Sequence, residues 1–327
     1  MIPTLTGQLK AGDLGATLMH EHIFVLNAEL VVNYPNRLDS DQLIERAVSY
    51  LQEVKDSGID TIVDLTVMGT GRNIPLVQRV AERTDINIIV ATGWYTYHDA
   101  PNFIMLNGPG RLLGGEDIFA QMLIDDIREG IGGTGIKAGA LKFATDHYGM
   151  TDGVRYIMQG VVDAHLETGT PIFTHSDPSQ ENGLDQQDYL EQRGVDLTRV
   201  VIGHSGDTAD INYLRKIADR GSMLGMDRFG LESKLPYEQR IETVVEMCRL
   251  GYAPQMVLAT DSSAYSMNFP DAAREARLPK WNAKEIMNSV VPDLKACGVS
   301  DDDIHTMMKD NAVKILDAVS ARSGNHD

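Results

Sequence analysis

Residues 16–22 read ATLMHEH: an apolar run that ends on two imidazoles, His20 and His22. A short run of this kind suits a strand buried on both faces. Four more segments repeat the plan. Residues 139–144 (GALKFA) carry Lys142, residues 171–175 (PIFTH) end at His175, residues 200–204 (VVIGH) at His204, and residues 256–261 (MVLATD) at Asp261. One such ending is ordinary chance. Five, on strands that helices separate, describe side chains able to bind or help bind a cation, gathered at one rim.

Helical patterns fill the intervals. Residues 40–57 place Leu43, Ile44, Ala47, Val48, Leu51 and Val54 on one face, behind a Ser40 cap and ahead of Gly58. A helix is expected from Ile74 to Ala81, and another behind a Thr151 cap, ending near Gly169. Further helices are expected near 116–129, 208–220 and 284–297, and around Ile241, Val244, Val245 and Cys248. Eight strands are expected, near 15–20, 61–66, 87–93, 139–144, 171–175, 200–204, 222–227 and 256–261. The later strand ends fall 23 to 34 residues apart, the pitch of repeating βα units. An open doubly wound sheet gives no reason to put ligand-type residues on strands 1, 4, 5, 6 and 8 together. A closed barrel brings all eight strand ends to one mouth. The expectation is an α/β chain folded as one (β/α)8 TIM barrel domain over residues 1–327, with a metal centre at the C-terminal mouth. Residues 262–283 form the longest irregular stretch and directly follow Asp261, where loops usually shape a pocket.

Composition narrows the partners. The chain has 29 Lys plus Arg against 47 Asp plus Glu, a formal charge of −18. That balance disfavours nucleic acid and anionic membrane surfaces and favours neutral or cationic small molecules. The two cysteines, Cys248 and Cys297, stand in no metal or redox spacing, which fits a reduced cytosolic compartment. The first residues lack a basic and apolar leader, and no apolar stretch reaches the roughly 18 residues of a membrane span. A cytoplasmic location is expected.

His20 and His22 are two apart on an extended backbone, so both rings face one side and Glu21 the other. His175 and His204 suit a second divalent ion. Asp261 adds a carboxylate, completing a nitrogen and oxygen set typical of zinc, or of manganese, iron or cobalt. Lys142 differs from these, because an ammonium cannot bind a cation and is costly to bury. Either its head reaches solvent at the rim, or it is a neutral amine that has captured carbon dioxide as a carbamate bridging two metals. Lys137, an odd number of residues earlier, faces away. His98, His147, His165, His305 and His326 read as surface or hydrogen-bonded structural residues. Asp64 also reads as structural, and Arg228 would by default pair with an acid such as Asp227.

Taken together, MHEH (19–22), IKAGALKFATD (136–146), PIFTHS (171–176), VIGHSGD (201–207), GMDRFG (225–230) and ATD (259–261) resemble the phosphotriesterase-like lactonases of the amidohydrolase superfamily, over residues 5–316. The resemblance implies a binuclear (β/α)8 hydrolase. His20, His22 and Asp261 would hold the more buried ion and His175 and His204 the more exposed one, with carboxylated Lys142 between them. It implies that Asp261 accepts a proton, and that Tyr95 or Tyr97 and Arg228 stand beside the substrate. It also implies a homodimer. The implied activity is opening of N-acyl-homoserine lactones and other γ- or δ-lactones, with slower hydrolysis of phosphotriesters such as paraoxon. The alternative is a dedicated phosphotriesterase. Two positions depart from the pattern: Thr260, where some relatives carry histidine, and Ala312, where proline is usual.

Overall fold

The computed structural model describes residues 1–96 and 98–317. A short antiparallel hairpin, β1 (Ile2–Thr4) and β2 (Gly7–Leu9), comes first. There follow β3 (Thr17–Val25), β4 (Thr61–Asp64), β5 (Asn87–Trp94), β6 (Ala140–Ala144), β7 (Ile172–His175), β8 (Val200–Ile202), β9 (Met223–Met226), β10 (Met256–Leu258) and β11 (Ser263–Ser266). These nine form one parallel sheet in the order β10-β9-β8-β7-β6-β5-β4-β3-β11. The segments β10 and β11 are two halves of an eighth strand, the first paired with β9 and the second with β3. Between them, Asp261 N–H donates to His20 O (3.0 Å) and His22 N–H donates to Ser262 O (2.9 Å). These bonds close the sheet into a (β/α)8 barrel.

The strands are apolar because both of their faces are covered. Every residue of β4, β6, β7, β8, β9 and β10 is buried, as expected where helices cover the outside and side-chain layers fill the inside. Met19, Val63, Ile89, Ala140, Phe173, Val201, Met223 and Val257 share one cluster with Ile2 and with Ala312, Ile315 and Leu316 of the last helix. Asn311 in that helix donates to Ala253 O and to Met256 O at the start of β10, so it seals the N-terminal end. Ala312 is therefore a packing residue. Among the described residues, no helix is long and apolar enough to cross a membrane.

Several expectations shift in detail. The helix Ser40–Asp56 is capped by Asp39, whose carboxylate accepts Gln42 N–H, and not by Ser40. Ile74–Ala81 and Asp152–Thr168 stand where the pattern puts them, the second between a Thr151 cap and Gly169 at φ 75°. The first barrel strand does not stop at His20 but runs on through Val25. Residues 262–283 are not irregular, since they hold β11 and the helix Asp271–Arg277. The helix Asn182–Glu191 was not anticipated; it carries Gln186 and Gln187 into the interior.

One glycine controls the approach of two central strands. Gly93 in β5 pairs with Lys142 in β6 and has φ 144°. A Cβ at Gly93 would lie 1.8 Å from the Lys142 carbonyl oxygen. We expect Gly93→Ala to cost about 3 kcal/mol through combined backbone strain and overpacking. Urea unfolding of the purified variant measures this, and an unchanged midpoint would contradict the packing described here.

Candidate metal centre

A cavity of about 410 Å³ opens at the C-terminal mouth, and His20, His22, Lys142, His175, Arg228, Tyr95 and Asp261 all line it. His204 is fully buried beside His20, their rings stacked with centroids 4.9 Å apart. The six side chains picked out as metal ligands thus come together, from β3, β6, β7 and the ends of β8 and β10. Of the described non-glycine residues, only Asp146, Glu181, His204 and Asp261 have positive φ. Three of these four are at the site. Such torsions cost of order 1–3 kcal/mol and persist where surrounding bonds enforce them.

Acceptors beneath the imidazoles fix which nitrogen is free. The Asp227 carboxylate meets His20 Nδ1 at 2.7 Å, His204 Nδ1 at 2.9 Å and His204 N–H at 2.9 Å. An ionised carboxylate only accepts, so both rings carry hydrogen on Nδ1 and turn a bare Nε2 to the cavity. Thr66 does the same for His22. Its hydroxyl donates to Asp64 Oδ1 (2.6 Å) and so accepts from His22 Nδ1 (2.8 Å). Asp64 is structural, as expected, but its task is to orient a site histidine.

The atoms that face one another at the site stand at short separations. His22 Nε2 is 3.1 Å and His20 Nε2 3.4 Å from Asp261 Oδ1. His20 Nε2 is also 3.2 Å from Lys142 Nζ, and His204 Nε2 is 2.9 Å from His175 Nδ1. One ligand atom each from His20, His204 and Asp261 lies within 4.8 Å of the others. Two ligands of one zinc-sized ion, each about 2.1 Å from it, stand roughly 3.0–3.4 Å apart. The donor set fits a divalent centre in chemistry and in spacing.

Burial sets the charges. It pulls His20 down to about 3, Lys142 adding to the effect, and holds His175 well below the ordinary histidine value. Burial also brings Lys142 down to about 8, although Asp261 and Asp227 oppose it. Burial would raise Asp227 and Asp261, but nearby imidazoles, joined at Asp261 by Arg228, outweigh it and keep both ionised. Neutral imidazoles and ionised carboxylates are the forms that bind metal.

Arg228 does not pair with Asp227. Its Nε donates to Asp261 Oδ2 (2.8 Å) and its NH1 to Asp207 Oδ2 (2.9 Å), while Asp207 Oδ1 takes Arg240 (2.7 Å). Asp227, Thr66, Asp207 and Arg240 escaped the sequence reading. Asp207, three residues after His204, and Asp227, directly before Arg228, were the available signals. The Tyr95 hydroxyl donates to Asp146 Oδ2 (3.3 Å), and its ring lies 5.1 Å from that of His175. Tyr97 and His326 lie outside the described residues. His165 is buried in its helix and bonds Thr170 O, while His98, His147, His305 and Lys137 are exposed.

The depressed histidines have a consequence for the metal-free protein. Unfolded, each takes a proton near 6.5; folded, His20 resists until about 3. Between those values the unfolded state binds more protons, so stability is complete above 6.5 and falls as pH drops through the window. Each such histidine contributes a slope of up to about 1.4 kcal/mol per pH unit. Thermal melts of chelator-treated protein from pH 7.5 to 4.5 should show this loss, and a flat melting temperature would contradict it.

Comparison with known proteins agrees with the geometry. A family model described as the phosphotriesterase family matches residues 1–316. A phosphotriesterase homology protein of Mycobacterium tuberculosis is 46% identical over 315 residues, covering 96% of this chain and 97% of that protein. An aryldialkylphosphatase of Saccharolobus solfataricus is 37% identical over 311 residues, 94% of this chain and 96% of that one. The solved structure of the phosphotriesterase from Mycobacterium tuberculosis superposes with a TM-score of 0.95 at 46% identity, covering 97% of this chain and 98% of the other. With a barrel whose mouth carries a divalent donor set, the chain belongs to the phosphotriesterase family and is a metal-dependent hydrolase.

Proposed function

We propose that this hydrolase opens lactone rings, chiefly N-acyl-homoserine lactones and other γ- or δ-lactones, and hydrolyses phosphotriesters more slowly. It would use two divalent ions, zinc foremost and cobalt, manganese or iron as substitutes. His20, His22 and Asp261 would hold one ion, and His175 and His204 the other, with Lys142 as its carbamate joining both. The observation that carries the reading is Lys142. The residue is 2% exposed, and the hydrogen-bond partners of its amine are His20 Nε2 and Thr174 O (3.0 Å), neither of them a carboxylate. A pKa brought down to about 8 keeps part of it as free amine at neutral pH. That amine can add to carbon dioxide, forming an N–C bond and releasing one proton, and the resulting anion suits a place between two cations.

When bound, the ions supply hydroxide at neutral pH and polarise the carbonyl or phosphoryl oxygen. The chain's own groups do the rest. Arg228 holds Asp261 Oδ2, leaving Oδ1 toward His20 and His22, where the carboxylate can take a proton and return it to the leaving oxygen. The Tyr95 hydroxyl, on the wall beside His175, would donate to the substrate oxygen as charge develops. Tyr97 belongs to the same proposal through its motif. Val25, Leu65, Leu231, Phe269, Leu278 and Trp281 make an apolar side to the cavity that suits an acyl tail. A small neutral substrate, with no role for nucleic acid or membrane, fits the charge of −18. We place the enzyme in the cytoplasm as a homodimer.

The second reading is a dedicated phosphotriesterase, favoured by the relative named aryldialkylphosphatase. Assays of a lactone panel against an aryl phosphotriester decide between them. We expect kcat/KM to favour a lactone by at least about tenfold, equivalent to 1.4 kcal/mol of transition-state preference. The reverse order would establish the second reading. Chelator should abolish turnover, and cobalt or manganese restore it. Lys142→Ala should lose bound metal by elemental analysis and reduce kcat by roughly a thousandfold. Near-full activity in that variant would point instead to a mononuclear centre.

A further inference from the structure

Asp261 is gripped from both sides by one buried acid. Glu21, 1% exposed, projects from the face of β3 opposite His20 and His22. Its Oε1 accepts Thr260 N–H (2.7 Å), and its Oε2 accepts Ser262 N–H (3.0 Å). The hydroxyls of Thr260 (2.7 Å) and Ser262 (3.1 Å) also reach Oε2. Thus the residues before and after Asp261 are bound to one carboxylate, while Asp261 itself sits at φ 54°. The network continues into the substrate loop. Trp281 Nε1–H donates to Thr260 O (2.7 Å), and the Tyr50 hydroxyl joins Ser262 Oγ (2.8 Å) to Ala283 N–H (3.2 Å). Trp281 lines the same cavity as the site residues.

We propose that Glu21 is a positioning residue with two arms. One, through Thr260 and Ser262, holds Asp261 in its left-handed conformation. The other, through Thr260 O and Tyr50, fixes the root of the loop and so the place of Trp281 in the cavity. Burial pushes the Glu21 carboxyl up to about 8, so its role rests on geometry: each of its two oxygens accepts a backbone N–H. In glutamine, the amide NH₂ would face either Thr260 N–H or Ser262 N–H, and neither accepts a hydrogen bond. Aspartate is shorter by a methylene. Thr260 supplies the hydroxyl that completes the grip. The kinetic part of the proposal rests on the lactonase reading; the structural part does not.

The test combines hydrogen–deuterium exchange with steady-state kinetics on cobalt-loaded protein. Glu21→Gln should speed exchange in peptides covering residues 259–264 and 281–285 by at least about tenfold, with the other barrel strands unchanged. Thr260→Val keeps the shape but removes the hydroxyl, and should lower kcat about three- to tenfold with KM near wild type; Thr260→Ser should restore it. Tyr50→Phe should raise KM for a long-chain lactone by a similar factor with kcat preserved. If Glu21→Gln does not fold, the two milder variants carry the test. Unchanged exchange in both peptides for Thr260→Val and Tyr50→Phe would overturn the proposal. So would kcat and KM moving together in both variants, with Thr260→Ser no better than Thr260→Val. Should wild-type protein hydrolyse neither a lactone nor a phosphotriester, the substrate reading fails, and the exchange data alone decide the role of Glu21.

Discussion

Two backbone hydrogen bonds, Asp261 N–H to His20 O and His22 N–H to Ser262 O, join the first barrel strand to the last. They close the sheet and, in the same contact, set a carboxylate within 3.1 to 3.4 Å of two imidazoles. Closure and site assembly are one event here. A parallel strand has no hairpin partner, so His20 and Asp261, 241 residues apart, meet only when every intervening βα unit is in place. Whatever loosens the seam therefore loosens the site, and the strained torsion at Asp261 is tolerated because the seam and the Glu21 network surround it.

The electrostatic plan follows from having buried so many polar groups in one mouth. Isolated buried charges are prohibitive, so each is answered. Asp227 serves two imidazoles, Asp64 reaches a third through Thr66, and Asp261, Arg228, Asp207 and Arg240 form an alternating ladder. The ladder ends in a helix, where Arg240 also bonds Gly206 O, Leu231 O and Leu235 O. Its inner end thus borrows rigidity from a packed element. Lys142 is the exception, with only a neutral ring and a carbonyl for partners. An amine so placed is the natural point for a change of charge.

Much of this was legible in the chain. Apolar strands ending in histidine or aspartate gave the barrel and the inward set, because burial on both faces and alternation along a strand are local properties. What escaped depends on distant geometry. Asp227 and Arg228 are adjacent in sequence, which suggested a pair; successive residues at a strand end point to different sides, and each found partners elsewhere. The order within residues 262–283 was also hidden. The segment β11 has only four residues, and it exists because β3 runs far enough to pair with it. The cap of Ser40–Asp56 was misplaced by one residue since both Asp39 and Ser40 carry a capping oxygen.

Strand and loop divide the labour at this mouth. Imidazoles, Lys142 and their acceptors sit on or directly after barrel strands, where a one-residue change would turn a side chain to the other face. The apolar wall comes mainly from loops, with Phe269 and Trp281 stacked edge to face at 5.3 Å after the eighth strand. Such a wall can change with little cost to the barrel beneath. Here Trp281 is tied by Thr260 O to the same backbone that presents Asp261. In this chain, then, the root of the apolar wall at Trp281 and the backbone that presents Asp261 meet at one carbonyl, that of Thr260.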